Sequence, residues 1–224
     1  MEAILQFLLE LKEHNDRTWF EANKDRYRAV QQHFNDFVEH LIAGVSSFDS
    51  SISGLTVQQC TYRIYRDIRF SPDKSPYKTH MGAYLCPKGR KSGYAGYYFH
   101  LEPSGAGYLD GSLLACGLYR PDRTVIQSIR EEIVDNGEAF DAAVRAAEGF
   151  DWDDAAVIRR MPKGFAEDTP FGCYLRRRDY SLAAPIPEGM TRSDELIEFC
   201  LYSFKKVKDF NAILNKAVAY VHEA

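Results

Sequence analysis

The chain has 224 residues, 45% hydrophobic and 13% aromatic, with a formal net charge of −4. That is enough apolar material for a sizeable core, and the acidic balance argues against a protein whose main business is coating nucleic acid. Five scattered cysteines without a CxxC pair fit a reducing compartment, and no charged n-region with an apolar run opens the chain, so a cytoplasmic location without a signal peptide is expected.

Taken in order, residues 2 to 13 place Ile4, Leu5, Leu8, Leu9 and Leu11 on a helical stripe, ended at Asn15-Asp16. Thr18 and Glu21 have capping-box spacing and predict a second helix running to about Val45. His33 and His40 lie seven apart, which suits solvated helix positions better than metal ligation. Asp49 to Gly54 reads as a turn. The period then changes to two, and Cys60 to Phe70 is predicted as a strand with an apolar face interrupted only by Arg66. A guanidinium on such a face must be paired, or else line a wet pocket.

SPDKSP then forces an irregular loop. Thr79 to Cys86 and Tyr94 to Glu102 alternate and predict an antiparallel hairpin whose partner numbers sum to 180. Met81, Ala83, Leu85, Tyr97, Phe99 and Leu101 then share a core face, while His80 opposes His100 and Lys78 opposes Glu102. Another strand is expected over Leu109 to Leu118. A helix should start at Pro121-Asp122 and end at Asn136-Gly137, with a short one over Phe140 to Ala147. Asp151 to Pro187 reads as mixed loops and short elements. Ser193 begins a long helical region broken near Asp209. The expected fold is α+β: an antiparallel β-meander sheet packed against N-terminal, central and C-terminal helices. A single domain is expected over 1–224, with helices in 1–47, the sheet in 55–119 and a helical and mixed part in 121–224.

Function concentrates in Tyr62 to His80, YRIYRDIRFSPDKSPYKTH. Between Arg63 and Lys91 eight basic residues face only Asp67 and Asp73, a local charge of +6 that leaves −10 for the remainder. Arg63, Arg66, Arg69, Lys74 and Lys78 could cradle a phosphate or carboxylate, or form a structural network with the two aspartates. Tyr77 and Tyr98 could stack on such a ligand, or simply pack across strands. Asp67 and His100 are the candidate acid/base groups. The leading expectation is a site for a phosphorylated or otherwise anionic small molecule, with catalysis left open. The rival is an interaction module that contacts nucleic acid or an acidic protein through the same lobe. No membrane partner is expected, and no cofactor or metal, because Walker A, GxSxG, HExxH and EF-hand strings are all missing.

The segments RTWFEANKDRY (17 to 27), RIYRDIRFSPDKSPYKTHMGAY (63 to 84), YYFHLEP (97 to 103), GLYRP with IREEI (117 to 133) and MPKGF (161 to 165) resemble, in this order, the bacterial family called domain of unknown function 2461. Met161 stands where that pattern has a second proline. The resemblance implies one intact α+β domain and carries no catalytic residue with it.

Overall fold

The computed structural model describes every residue except Asp154, Ala156 and Ala224. Helix α1 (Glu2–Glu13) buries Ile4, Leu5, Phe7, Leu8 and Leu11, the stripe that the sequence predicts. Helix α2 (Arg17–Ala22) is capped by Asp16, whose carboxylate accepts from Trp19 N at 3.0 Å. The cap therefore stands two residues before Thr18, because a carboxylate at that point already serves the free N–H groups of the first turn. Asn23 leaves helical geometry, so the expected single helix divides there into α2 and α3 (Lys24–Ser46). Helix α3 is followed by a 3₁₀ turn, Ser50–Ile52.

The predicted strand Cys60–Phe70 does not form. A short helix α4 (Val57–Cys60), with a capping box between Thr56 and Gln59, takes its first residue. The chain beyond folds back on itself as a ribbon held by Arg66 N to Pro76 O (2.9 Å), Lys78 N to Ile64 O (2.8 Å) and the isolated bridge Tyr65–Tyr77. Pro72 and Pro76 remove donors from the returning limb, so alternation survives without a full ladder. Asn15 clamps this ribbon to the α1–α2 turn by exchanging two hydrogen bonds, each 3.0 Å, with the backbone of Tyr77.

The sheet is antiparallel throughout, in the order β1-β2-β3-β5-β4, with β1 Met81–Leu85, β2 Gly96–Leu101, β3 Leu113–Leu118, β4 Asp151–Trp152 and β5 Tyr180–Pro185. The hairpin register sums to 182, not 180, so Gly82 opposes His100 and Lys78 does not oppose Glu102. A shift of two keeps parity, and each side chain stays on its predicted face. Strand β3 starts four residues later than expected, after a turn-rich segment with Gly105, Gly107 and Asp110 at positive φ. Strand β5 lies in the stretch read as mixed loops, yet it pairs with β3 along its whole length.

One face of the sheet is core. Ala83, Leu85, Tyr97, Phe99, Leu101, Leu114, Cys116, Leu118, Tyr180 and Leu182 are all buried there. Phe34 and Phe37 of α3 pack on Phe99 (6.2 and 4.8 Å between rings), and Phe204 of α7 (Leu196–Lys206) packs on Tyr97 at 5.3 Å. Helix α8 (Lys208–Glu223) meets β3, and α5 (Arg123–Ala146) lies against α8, where Ser128 Oγ donates to Ala217 O at 2.9 Å. The break between α7 and α8 falls at Val207, beside the expected Asp209. Helix α5 loses helical geometry at Asn136 (φ −134°, ψ 37°), so two helical segments meet at a kink there, at the Asn136-Gly137 break that the sequence predicts. Phe171 fills the space that any side chain at Gly137 would need, beside the short α6 (Gly172–Leu175). The buried cluster runs without interruption from Ile4 to Val218.

Candidate functional site

The opposite face of the sheet carries Gly82, Tyr84, Tyr98, Leu113, Ala115, Ser181 and Ala183 toward a groove of about 1140 Å³. Four of these seven are glycine, alanine or serine, so the floor is low between tyrosine walls. The ribbon of residues 61–80 forms one side. Gly107 to Leu109 and the Tyr119–Pro121 turn form others.

Within the ribbon, much of the basic charge is spent internally. Arg66 forms an ion pair with Asp73 and reaches Ser71 Oγ at 3.4 Å. Asp73 also accepts from the hydroxyl and backbone N–H of Ser75 (2.6 and 2.9 Å). Those bonds first, and Arg66 after them, hold its carboxyl well below the usual range. Arg69 grips Asp67 through two guanidinium contacts of 2.9 and 2.6 Å, which lowers that carboxyl to about 2. Lys74 donates to Ile68 O at 3.0 Å. Arg69 and Lys74 lie outside the groove lining, whereas Arg66, Asp67 and Asp73 stand on its edge. Arg66 is thus not an apolar-face anomaly; its strand does not exist, and it braces the SPDKSP loop. Tyr77 is buried and stacks on Phe20 with ring centroids 3.9 Å apart, a packing role at the groove's margin.

A different set of cations faces the groove. Lys78 Nζ lies 5.4 Å from the centre of the Tyr62 ring and the Arg90 guanidinium 5.5 Å, with Arg63 in the same lining. Arg90 is anchored by donating to Gln58 O at 2.8 Å. Among the described residues, no carboxylate forms an ion pair with Arg63, Lys78 or Arg90. Burial, then repulsion from Arg63 and Arg90, pulls the Lys78 pKa down. Like charges are gathered here at an electrostatic cost.

Tyr98 also meets the Tyr62 ring, edge to face at 6.3 Å. Its hydroxyl lies 3.0 Å from His100 Nδ1, and His100 Nε2 lies 2.9 Å from Glu102 Oε2. His100 is 0% exposed and Glu102 2%. Glu102 also accepts from the backbone N–H groups of Tyr108 (2.7 Å) and Leu109 (2.8 Å). Burial outweighs the Glu102 contact and lowers the His100 pKa. His80 lies beside this line, 4.7 Å from the His100 ring and stacked on Tyr108 at 4.3 Å. Of the two candidate acid/base residues, His100 is thus in the buried line behind Tyr98, and Asp67 is at the edge, held by Arg69.

Tyr62 and Arg90 are not among the predicted site residues. Arg90 falls in PKGRKSG, which reads as a plain polar loop until the β1–β2 hairpin closes it onto the ribbon. Among the described residues no group of three His, Cys, Asp or Glu side chains could hold a metal ion, and no helix is long and apolar enough to cross a membrane.

Fold and site together define an α+β protein with an antiparallel sheet, helices on one face and a basic, tyrosine-walled groove on the other. The chain belongs to the family described as "Conserved hypothetical protein (DUF2461)", whose model matches residues 3–212. No curated protein and no solved structure matches it.

Proposed function

We propose that the groove binds a phosphorylated or otherwise anionic small molecule, with Arg63, Lys78 and Arg90 holding the anion. One observation carries this reading: among the described residues, Arg63, Lys78 and Arg90 line one concave site with a low floor, and none of them forms an ion pair with a carboxylate. An incoming anion would relieve their mutual repulsion, and arginine forks match phosphate and carboxylate geometry. The tyrosine walls would enclose the rest of the ligand, in keeping with the apolar lining and few convergent polar groups of small-molecule sites. Concavity disfavours the alternative, a nucleic-acid or acidic-protein contact through the same lobe, which would use a broad exposed surface.

Inorganic phosphate is the simplest probe. It should raise the thermal midpoint of the wild-type protein by mass action. Arg63→Ala and Lys78→Ala should abolish the rise, while Lys205→Ala on α7, whose Phe204 packs on the core face, should keep it. No rise in the wild type, or an equal rise in all four proteins, would sink the proposal.

A further inference from the structure

Binding an anion leaves the line Tyr98–His100–Glu102 without a task, although its hydroxyl end opens into the groove. The direction of its hydrogen bonds can be derived. Glu102 receives two backbone N–H groups, so it serves as an acceptor, and His100 Nε2 must carry the proton it shares with Glu102. Nδ1 of a neutral imidazole is then a bare lone pair, which the Tyr98 hydroxyl fills at 3.0 Å. The Tyr98 oxygen keeps its own lone pairs as acceptors, and Tyr98 lines the groove together with Gly82. Position 82 is a glycine, and a Cβ there would stand 2.8 Å from that oxygen.

We propose that the Tyr98 hydroxyl is the proton-transfer group of the groove, with His100 receiving the proton behind it and Glu102 holding the imidazolium that results. The inference rests on the groove being a ligand site. A substrate whose anionic group sits at Arg63, Lys78 and Arg90 presents a hydroxyl to Tyr98. The substrate O–H bond breaks toward the Tyr98 oxygen as the Tyr98 O–H bond breaks toward His100 Nδ1. The substrate oxygen keeps the electron pair and becomes an alkoxide beside the three cations. One proton has moved onto His100, and the reverse sequence returns it. The groups facing this line are His80, Tyr108 and Tyr62. Burial and the charges of Lys78 and Arg66 hold His80 neutral, so no second cation opposes the imidazolium at His100. The arrangement follows the logic of a nucleophile, an imidazole base and a carboxylate that orients it.

The test uses 4-(fluorosulfonyl)benzoate, an anion with a tyrosine-reactive head. The Tyr98 oxygen attacks sulfur, the S–F bond breaks, fluoride leaves with its electron pair, and the phenol proton goes to His100. Peptide mapping of the wild-type protein should show Tyr98 labelled at least about tenfold faster than exposed Tyr220, as expected for a nucleophile served by a base. Its rate should be level between about pH 7 and 9, whereas free N-acetyltyrosinamide treated in parallel should speed up about tenfold per pH unit as its phenolate forms. His100→Gln and Glu102→Gln should slow Tyr98 by about tenfold or more, a typical general-base loss, and leave Tyr220 unchanged. If either variant fails to fold, the wild-type pH profile still decides. A Tyr98 rate that climbs in parallel with the free tyrosine amide, or that is no faster than that of Tyr220, overturns the relay. Should phosphate nonetheless raise the midpoint, the binding reading survives that failure. A level, fast Tyr98 without any phosphate effect would refute the anion reading instead.

Discussion

At position 80 an imidazole lies against His100 and Tyr108, and among the described residues its Nδ1 has no hydrogen-bond partner. Burial first, then His100, Lys78 and Arg66, push its pKa down to about 3. The unfolded chain binds that proton near pH 6.5 and the folded chain does not. Stability from this group is therefore complete above about pH 6.5 and is lost progressively as pH falls toward 3, by up to about 1.4 kcal/mol per pH unit. His100, also lowered, acts in the same direction. Urea melts at about pH 7 and 5 should show a marked loss in the wild type, and His80→Gln should make the loss shallower. An unchanged slope in that variant would show that His80 is not responsible. The sequence sets this residue against His100, and the two rings do meet although Gly82 is the strand partner of His100; the Tyr108 ring, brought in by the turn after β2, is not legible there. Arg66 teaches the same lesson differently. Its partner Asp73 is seven residues along, just past Pro72, and periodicity cannot show how such a loop closes.

Between elements, α8 is tied to the sheet through asparagines. Asn211 Oδ1 accepts from Gly117 N at 2.8 Å, at a point where β3 has positive φ (86°) and no side chain could fit against Tyr180 O. Asn215 exchanges hydrogen bonds with both backbone groups of Ala95, at 2.7 and 3.0 Å. Replacing Asn211 by Ala would strand a buried N–H, and we expect a loss of about 1–3 kcal/mol in urea unfolding. A loss within a few tenths would mean that water replaces the contact. The long helices α1, α3, α5, α7 and α8 were legible because each has a stripe of period 3.6, and the β1–β2 hairpin because its alternation is strict, whereas the four-residue α4 and α6 are too short to show a period. Strand β5 was not: YSLAAP is short, offers little contrast and is flanked by Arg-Asp and Pro. The ribbon at 61–70 alternates like a strand, and only the prolines opposite it betray that no ladder can form.

For the whole molecule, the uninterrupted core between Ile4 and Val218 leads us to propose a single folding unit. Trp19 reports on the N-terminal helices and Trp152 on the sheet's β4 edge. Urea transitions followed in Trp19→Phe and Trp152→Phe should each be two-state with m-values matching the whole chain; distinct small m-values would show that the halves unfold separately. The uneven charge, basic around the groove and acidic elsewhere, also predicts that phosphate affinity falls as salt rises to about 0.5 M. The groove's floor carries one more implication. Its volume comes from what Gly82, Ala115 and Ala183 lack, while the neighbours of these residues along each strand point into the core. The cavity can therefore be stoppered from below without disturbing the packing that sustains the protein. Ala115→Leu would be such a plug: a folded, normally melting molecule expected to be blind to the proposed anion, and so the reference against which any cellular role could be measured.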